Sequence, residues 1–183
     1  MVQTYSVRIP QERIGVLVGK NGETRGEIEK ISHMTLTIDS STGDVVIDDS
    51  KSTDPEMSLK TRDVIRAIGR GFSPQRAFRL FDTGTYLEVI DLKDFTGKNS
   101  KRAKTVKARL IGTGGKTRRL IEELSESYVS IYGNTASLIG DYVQNQISRE
   151  SIMMILRGNQ HSTVYKYLER RRKDIRLARL DSV

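Results

Sequence analysis

Cysteine is missing from all 183 residues, which removes disulfides, thiol nucleophiles and cysteine-ligated zinc together. Histidine is nearly as scarce. His33 and His161 stand far apart with no Asp/Glu cluster beside either, so the sequence offers neither a metal site nor histidine-based catalysis. Long apolar runs are lacking too. The opening Met1-Val2-Gln3-Thr4-Tyr5-Ser6-Val7-Arg8 has no signal-peptide core, and no stretch approaches the roughly 18 apolar residues of a membrane span. A hydrophobic fraction of 36% beside 30% charged residues suits packed domains, not a disordered chain. The expectation is a soluble, cytoplasmic protein with one medium domain or two small ones.

One further absence is local. From Lys98 to Arg119 there is no acidic residue, against nine basic ones: Lys98, Lys101, Arg102, Lys104, Lys107, Arg109, Lys116, Arg118 and Arg119. The net charge of +8 is carried on that side of the chain. Residues 1–83 hold 12 Lys+Arg and 12 Asp+Glu, whereas residues 84–183 hold 19 and 11. Clustered cations of this kind gain free energy by releasing counterions from phosphates.

The chain repeats itself. Val18-Gly19-Lys20-Asn21-Gly22-Glu23-Thr24-Arg25-Gly26-Glu27-Ile28-Glu29 aligns without gaps to Ile111-Gly112-Thr113-Gly114-Gly115-Lys116-Thr117-Arg118-Arg119-Leu120-Ile121-Glu122, an offset of 93. Both glycines, the Thr-Arg pair and the Ile-Glu pair coincide. A later echo joins Ala67-Ile68-Gly69-Arg70-Gly71-Phe72 to Met154-Ile155-Leu156-Arg157-Gly158-Asn159 at an offset of 87, so the first copy holds about six more residues in between.

Each copy reads as the same series of elements. Strand Tyr5 to Ile9, helix Gln11 to Val18, a glycine loop and helix Glu23 to Ser32 come first. Strands Met34 to Ile38 and Val45 to Ile47 follow, and then a helix from Pro55 to Gly69 with Leu59, Val64, Ile65 and Ile68 as its apolar face. The short stretch Ser73 to Phe81 closes the first copy. The second gives a strand Tyr86 to Asp91, helices near 101–110 and 116–126, strands at 128–132 and 137–139, a helix near 142–157 and a last helix from Ser162 to Leu180. Boundaries at 1–82 and 83–183 follow.

Two short helices joined by Gly-x-x-Gly and followed by a strand, found twice in this order, resemble the KH domain. The fold implied is α+β: two tandem type I KH domains, each a three-stranded sheet with helices packed on one face, plus a C-terminal helix. KH loops clamp about four nucleotides of single strand, whose bases lie in an adjoining apolar groove. The resemblance implies groove residues Ile14, Val18, Ile28 and Ile38 in the first copy, and Ile111, Ile121 and Ile131 in the second. RNA-contact candidates are Gly112, Thr113, Gly114, Gly115, Lys116, Arg118, Arg119, Lys104, Lys107 and Arg109, with Gly19, Lys20, Asn21, Gly22 and Arg25 in the first copy. Glycine lets a sugar-phosphate chain approach the backbone, and the following helix points its N-terminal amides at it. Because phosphate contacts dominate affinity, the second copy is expected to bind more tightly. Its loop departs from the usual basic or amide pair between the glycines, having Thr113-Gly114 where the first has Lys20-Asn21.

Over nearly the whole chain, the arrangement resembles the archaeal members of the partner-of-Nob (Dim-two) ribosome-assembly family. The residues that carry this are Arg109-Leu110-Ile111-Gly112, Gly115-Lys116-Thr117-Arg118, Leu156-Arg157-Gly158, His161, Val164-Tyr165 and Leu168-Glu169. That resemblance implies binding of single-stranded RNA near the 3′ end of small-subunit rRNA. It also implies contact with a maturation endonuclease or the α subunit of translation initiation factor two; no cofactor, metal or membrane is expected.

Two rival readings stand beside it. Gly112-Thr113-Gly114-Gly115-Lys116-Thr117 looks like a nucleotide-binding P-loop, but that motif needs a glycine where Leu110 stands. The chain is therefore expected not to be an enzyme. A KH-fold adaptor for proteins of translation or rRNA processing, with little RNA binding of its own, is the alternative. Glu122, Glu123 and Glu126 read as solvated partners of neighbouring arginines, and Glu169 to Asp174 as a solvated helix.

Overall fold

The computed structural model describes residues 4–50 and 54–180, without the side chains of 178 and 179. The chain divides into two compact units, the boundary falling between Thr83 and Gly84.

In the first unit, β1 (Thr4–Arg8) leads into α1 (Gln11–Val18) and α2 (Glu23–Ser32). Then come β2 (Thr35–Ile38), β3 (Asp44–Asp48) and α3 (Pro55–Gly69), with a short α4 (Pro74–Ala77) behind. The sheet is antiparallel in the order β1-β3-β2, with Ile38 opposite Val45. Its inner face places Leu36, Val45 and Ile47 against Leu17 and Ile28, all fully buried. Each such side chain contributes about 1.5–3 kcal/mol. Asp54 caps α3, accepting a hydrogen bond from the Glu56 amide at 2.9 Å, with Pro55 in the first turn. The apolar face expected of α3 is corrected at one position. Leu59 is exposed, because the stripe through Val64, Ile65 and Ile68 continues back through Thr61 and Ser58.

The second unit has the same plan. β4 (Tyr86–Asp91), the single turn α5 (Lys93–Thr96), α6 (Ser100–Ile111) and α7 (Lys116–Ser125) precede β5 (Tyr128–Tyr132) and β6 (Thr135–Gly140). α8 (Tyr142–Leu156) and α9 (His161–Leu180) complete it. The sheet order is β4-β6-β5, again antiparallel, with Ile131 opposite Ala136. Ile90, Val129 and Leu138 pack with Leu110, Ile121, Ile147 and Ile152 in one core. α8 begins with a capping box between Asp141 and Gln144. α9 buries Val164, Leu168 and Ile175 against the same core, so it is part of the unit and only its outer face is solvated. α5 adds an element to the expected series, since one turn is too short to leave a periodic signal in the sequence.

The register accounts for the six extra residues of the first copy. The offset is 93 at Ile38/Ile131, 91 at Val45/Ala136, and 87 at Pro55/Tyr142. The second copy is thus two residues shorter in the turn between the paired strands and four shorter between the last strand and the closing helix. The longer turn is tied by Asp39, whose carboxylate accepts from the Ser41 hydroxyl at 2.6 Å and the Ser41 amide at 2.8 Å. Those bonds hold its pKa below the ordinary carboxylate value.

Candidate nucleic-acid interface

The two glycine loops have one backbone conformation. Gly19, Asn21 and Gly22 have φ of 75°, 53° and 79°; Gly112, Gly114 and Gly115 have 73°, 58° and 76°. The glycines of the motif serve different ends. A Cβ on Gly19 would lie 2.4 Å from Thr24 Oγ1, and one on Gly112 would lie 2.3 Å from Thr117 Oγ1. Gly22 and Gly115 face open space and are needed for their left-handed φ. Asn21 tolerates that region better than most side chains, and Gly114 tolerates it better still. The unusual Thr113-Gly114 pair therefore leaves the loop geometry unchanged.

α2 and α7 both start from these loops with no side chain capping their first amides, which leaves donors and the positive end of the helix dipole for an anion. Their first turns differ. α2 carries Glu23 there, while α7 has no acidic residue and begins Lys116-Thr117-Arg118-Arg119.

The repeated Arg and Glu hold the fold together. Glu29 accepts the Leu36 amide at 2.8 Å and Arg25 Nε at 3.2 Å. Glu122 accepts the Val129 amide at 2.8 Å and Arg118 Nη1 at 3.0 Å. Each pair straps the helix after the loop to the next strand. Glu122 is thus no solvated partner, its side chain being only 13% exposed.

Arg109 is likewise engaged, donating to the carbonyls of Ile155 at 2.9 Å and Asn159 at 2.6 Å. Lys107 donates to the Gly133 carbonyl at 3.1 Å. Of the candidates, Arg25, Arg109, Arg118 and Lys107 have intramolecular duties. Lys20, Asn21, Lys104, Thr113, Gly114, Lys116 and Arg119 are exposed, while Gly19, Gly22, Gly112 and Gly115 are half-buried.

The expected apolar groove is corrected in three places. Ile14, Ile28 and Ile121 are buried at 6%, 0% and 1%, and so belong to the cores of their units. Val18, Ile38 and Ile131 are half-buried and Ile111 is 38% exposed, which leaves these four able to meet a base.

Two residues for which the sequence suggested no role brace the second loop. Tyr165 Oη and Thr117 Oγ1 share a hydrogen bond of 2.9 Å. His161 Nε2 donates to the Arg109 carbonyl at 2.8 Å, and its ring stacks on Tyr165 at 6.1 Å between centroids. α9 therefore holds the second loop from both sides. Among the described residues there is no group of three His, Asp or Glu that could hold a metal ion, and no helix long and apolar enough to cross a membrane.

Residues 86–173 match a family model described as a eukaryotic type KH-domain, KH-domain type I. A KH domain-containing protein of Methanocaldococcus jannaschii is 41% identical over 96% of this chain and 77% of its own length. The crystal structure of Dim2p from Pyrococcus horikoshii is 47% identical, with a TM-score of 0.86 over 92% of this chain and 99% of the other. The chain belongs to the archaeal Dim2p family of KH-domain proteins. A second Pyrococcus horikoshii Dim2p family structure, a complex with a/eIF2α and rRNA, is 48% identical. Its TM-score is 0.89, over 95% of this chain and 96% of the other.

Proposed function

We propose that this Dim2p family protein is a non-enzymatic binder of single-stranded RNA, acting at the 3′ region of small-subunit rRNA during ribosome assembly. Both units, 1–82 and 83–183, serve as KH modules, and the second loop supplies most of the affinity. The observation that carries this reading is the start of α7. There an open Gly114-Gly115 backbone, uncapped helix amides and Lys116 and Arg119 come together without an acidic residue. Phosphates would sit at that helix end, with Lys104 on α6 adding charge and Ile111 and Ile131 meeting bases. The Dim2p complex from Pyrococcus horikoshii, with a/eIF2α and rRNA, supports rRNA as target and the α subunit of initiation factor two as protein partner. A maturation endonuclease is the other partner in view.

Crosslinking in cells, followed by sequencing of the bound RNA, tests the reading. Enrichment at the 3′ end of small-subunit rRNA is expected. Reads spread evenly over cellular RNA would overturn the target, and recovery of protein partners without RNA would favour the adaptor.

A further inference from the structure

We propose that the first unit carries a second phosphate-binding site, on the flank between β1 and α3, which takes the backbone of the same RNA strand. It rests on the RNA-binding function above and extends that function to a surface outside the glycine loops. A cleft of about 670 Å³ opens there, lined among others by Arg8, Gln11, Arg62, Arg66 and Arg70. No residue of the Gly19–Gly22 loop belongs to it.

The neutral charge of the first unit conceals this cluster. No carboxylate lines the cleft. Arg62 and Arg66 lie four residues apart on one face of α3, roughly 6 Å along its axis, and Arg70 follows as the residue that ends the helix. Asp63 Oδ1 lies 3.4 Å from Arg62 Nη2 and 3.3 Å from Arg66 Nη1. One carboxylate shared by two guanidinium groups holds them side by side and neutralises only one. Arg8 Nε is 3.7 Å from Asp44, with the Arg8 side chain 72% exposed. Arg62 Nε has no acceptor among the described residues.

Guanidinium forks match the oxygens of phosphate, and a regular ladder of them suits a chain of regularly spaced phosphates. An added peptide strand fits less well. Pro10 follows β1, and the turn beside it is bonded across through Gln11 to Ser41 and Arg8 to Thr42, which blunts the strand edge. The lining also has no aromatic side chain to seat a peptide anchor.

The test compares the full chain binding a single strand of about six nucleotides, little more than one loop clamps, and one of about thirty, across salt. In Arg62→Gln/Arg66→Gln, the short strand keeps its affinity. The long strand's log–log salt slope falls by about 0.7, the share of one phosphate, since Asp63 already neutralises one of the two guanidinium groups. Arg8→Gln, away from the helix, lowers it by about 0.7 without touching α3. A long-strand slope unchanged in both variants overturns the site, as does equal weakening of both strands. Poly-glutamate that binds the wild type but not the variants, with the RNA slope unchanged, also overturns it and assigns the cleft to protein. A wild type that binds neither strand overturns the RNA-binding function itself, and this site with it.

Discussion

The loops at Gly19–Gly22 and Gly112–Gly115 share their backbone angles to within about 6°, yet their surroundings have diverged. The first opens onto a helix whose first turn holds Glu23; the second opens onto Lys116, Arg118 and Arg119. Thr24 lies against Gly19 as Thr117 lies against Gly112, and Thr117 is also tied to Tyr165 on α9. After duplication, geometry was kept and electrostatics and bracing were changed. One backbone shape is thus set in two different charge environments.

A second pair of sites teaches the converse. Arg13 donates to the carbonyls of Ile68 at 2.8 Å and Phe72 at 2.7 Å. Arg109 donates to the carbonyls of Ile155 and Asn159, the same two positions at the offset of 87. Yet at the offset of 93 that relates α1 to α6, Arg13 aligns with Val106, one helical turn before Arg109. Here the hydrogen bonds were kept and the residue supplying them moved by a turn, because i and i+3 lie on one helix face.

The largest expected effect separates the two loops directly. Gly114→Asp/Gly115→Asp should weaken RNA binding by roughly a hundredfold, about 2.7 kcal/mol, whereas Asn21→Asp/Gly22→Asp should cost far less. Fluorescence anisotropy with a labelled strand measures both, and equal losses would end the division of labour. Next, Lys104→Ala/Lys116→Ala/Arg119→Ala should reduce the salt slope of binding by about 2, while Lys20→Ala reduces it by at most about 0.7.

The structural arginines should behave alike despite their different positions. Arg13→Ala and Arg109→Ala should each destabilise the protein by about 2 kcal/mol, since each removes a charged donor from two backbone carbonyls; urea unfolding checks this. A variant that unfolds no more easily would mean that water replaces the guanidinium. The smallest effect belongs to Tyr165→Phe, about 1 kcal/mol. It should speed hydrogen exchange at the Gly112–Gly115 amides and leave those of Gly19–Gly22 unchanged.

Much of this was legible in advance, for reasons that differ by element. Helices Gln11–Val18, Glu23–Ser32 and Pro55–Gly69 have the bounds that periodicity and capping residues suggested. The repeated Thr-Arg and Ile-Glu pairs marked the loop and the helix after it, whereas the strap from Glu122 to the Val129 amide is legible only in the fold. The roles of those residues were less accessible. Arg109 and Arg118 stand in the basic run and Arg25 is the repeat partner of Arg118, and only the fold shows that all three also bond to acceptors four to fifty residues away. Ile14, Ile28 and Ile121 look like groove residues along the chain, and only the packed fold shows them buried.

The sequence by itself determined the duplication, the order of elements, the glycine loops and the charge asymmetry. All of these depend on spacing and composition along the chain. Tertiary structure alone decided which cations are spoken for, which aliphatics are core, that α9 braces the second loop, and that Arg8 meets the ladder of α3. Each of these depends on distance across the fold, where a carbonyl or carboxylate about 3 Å away settles what a guanidinium can still bind.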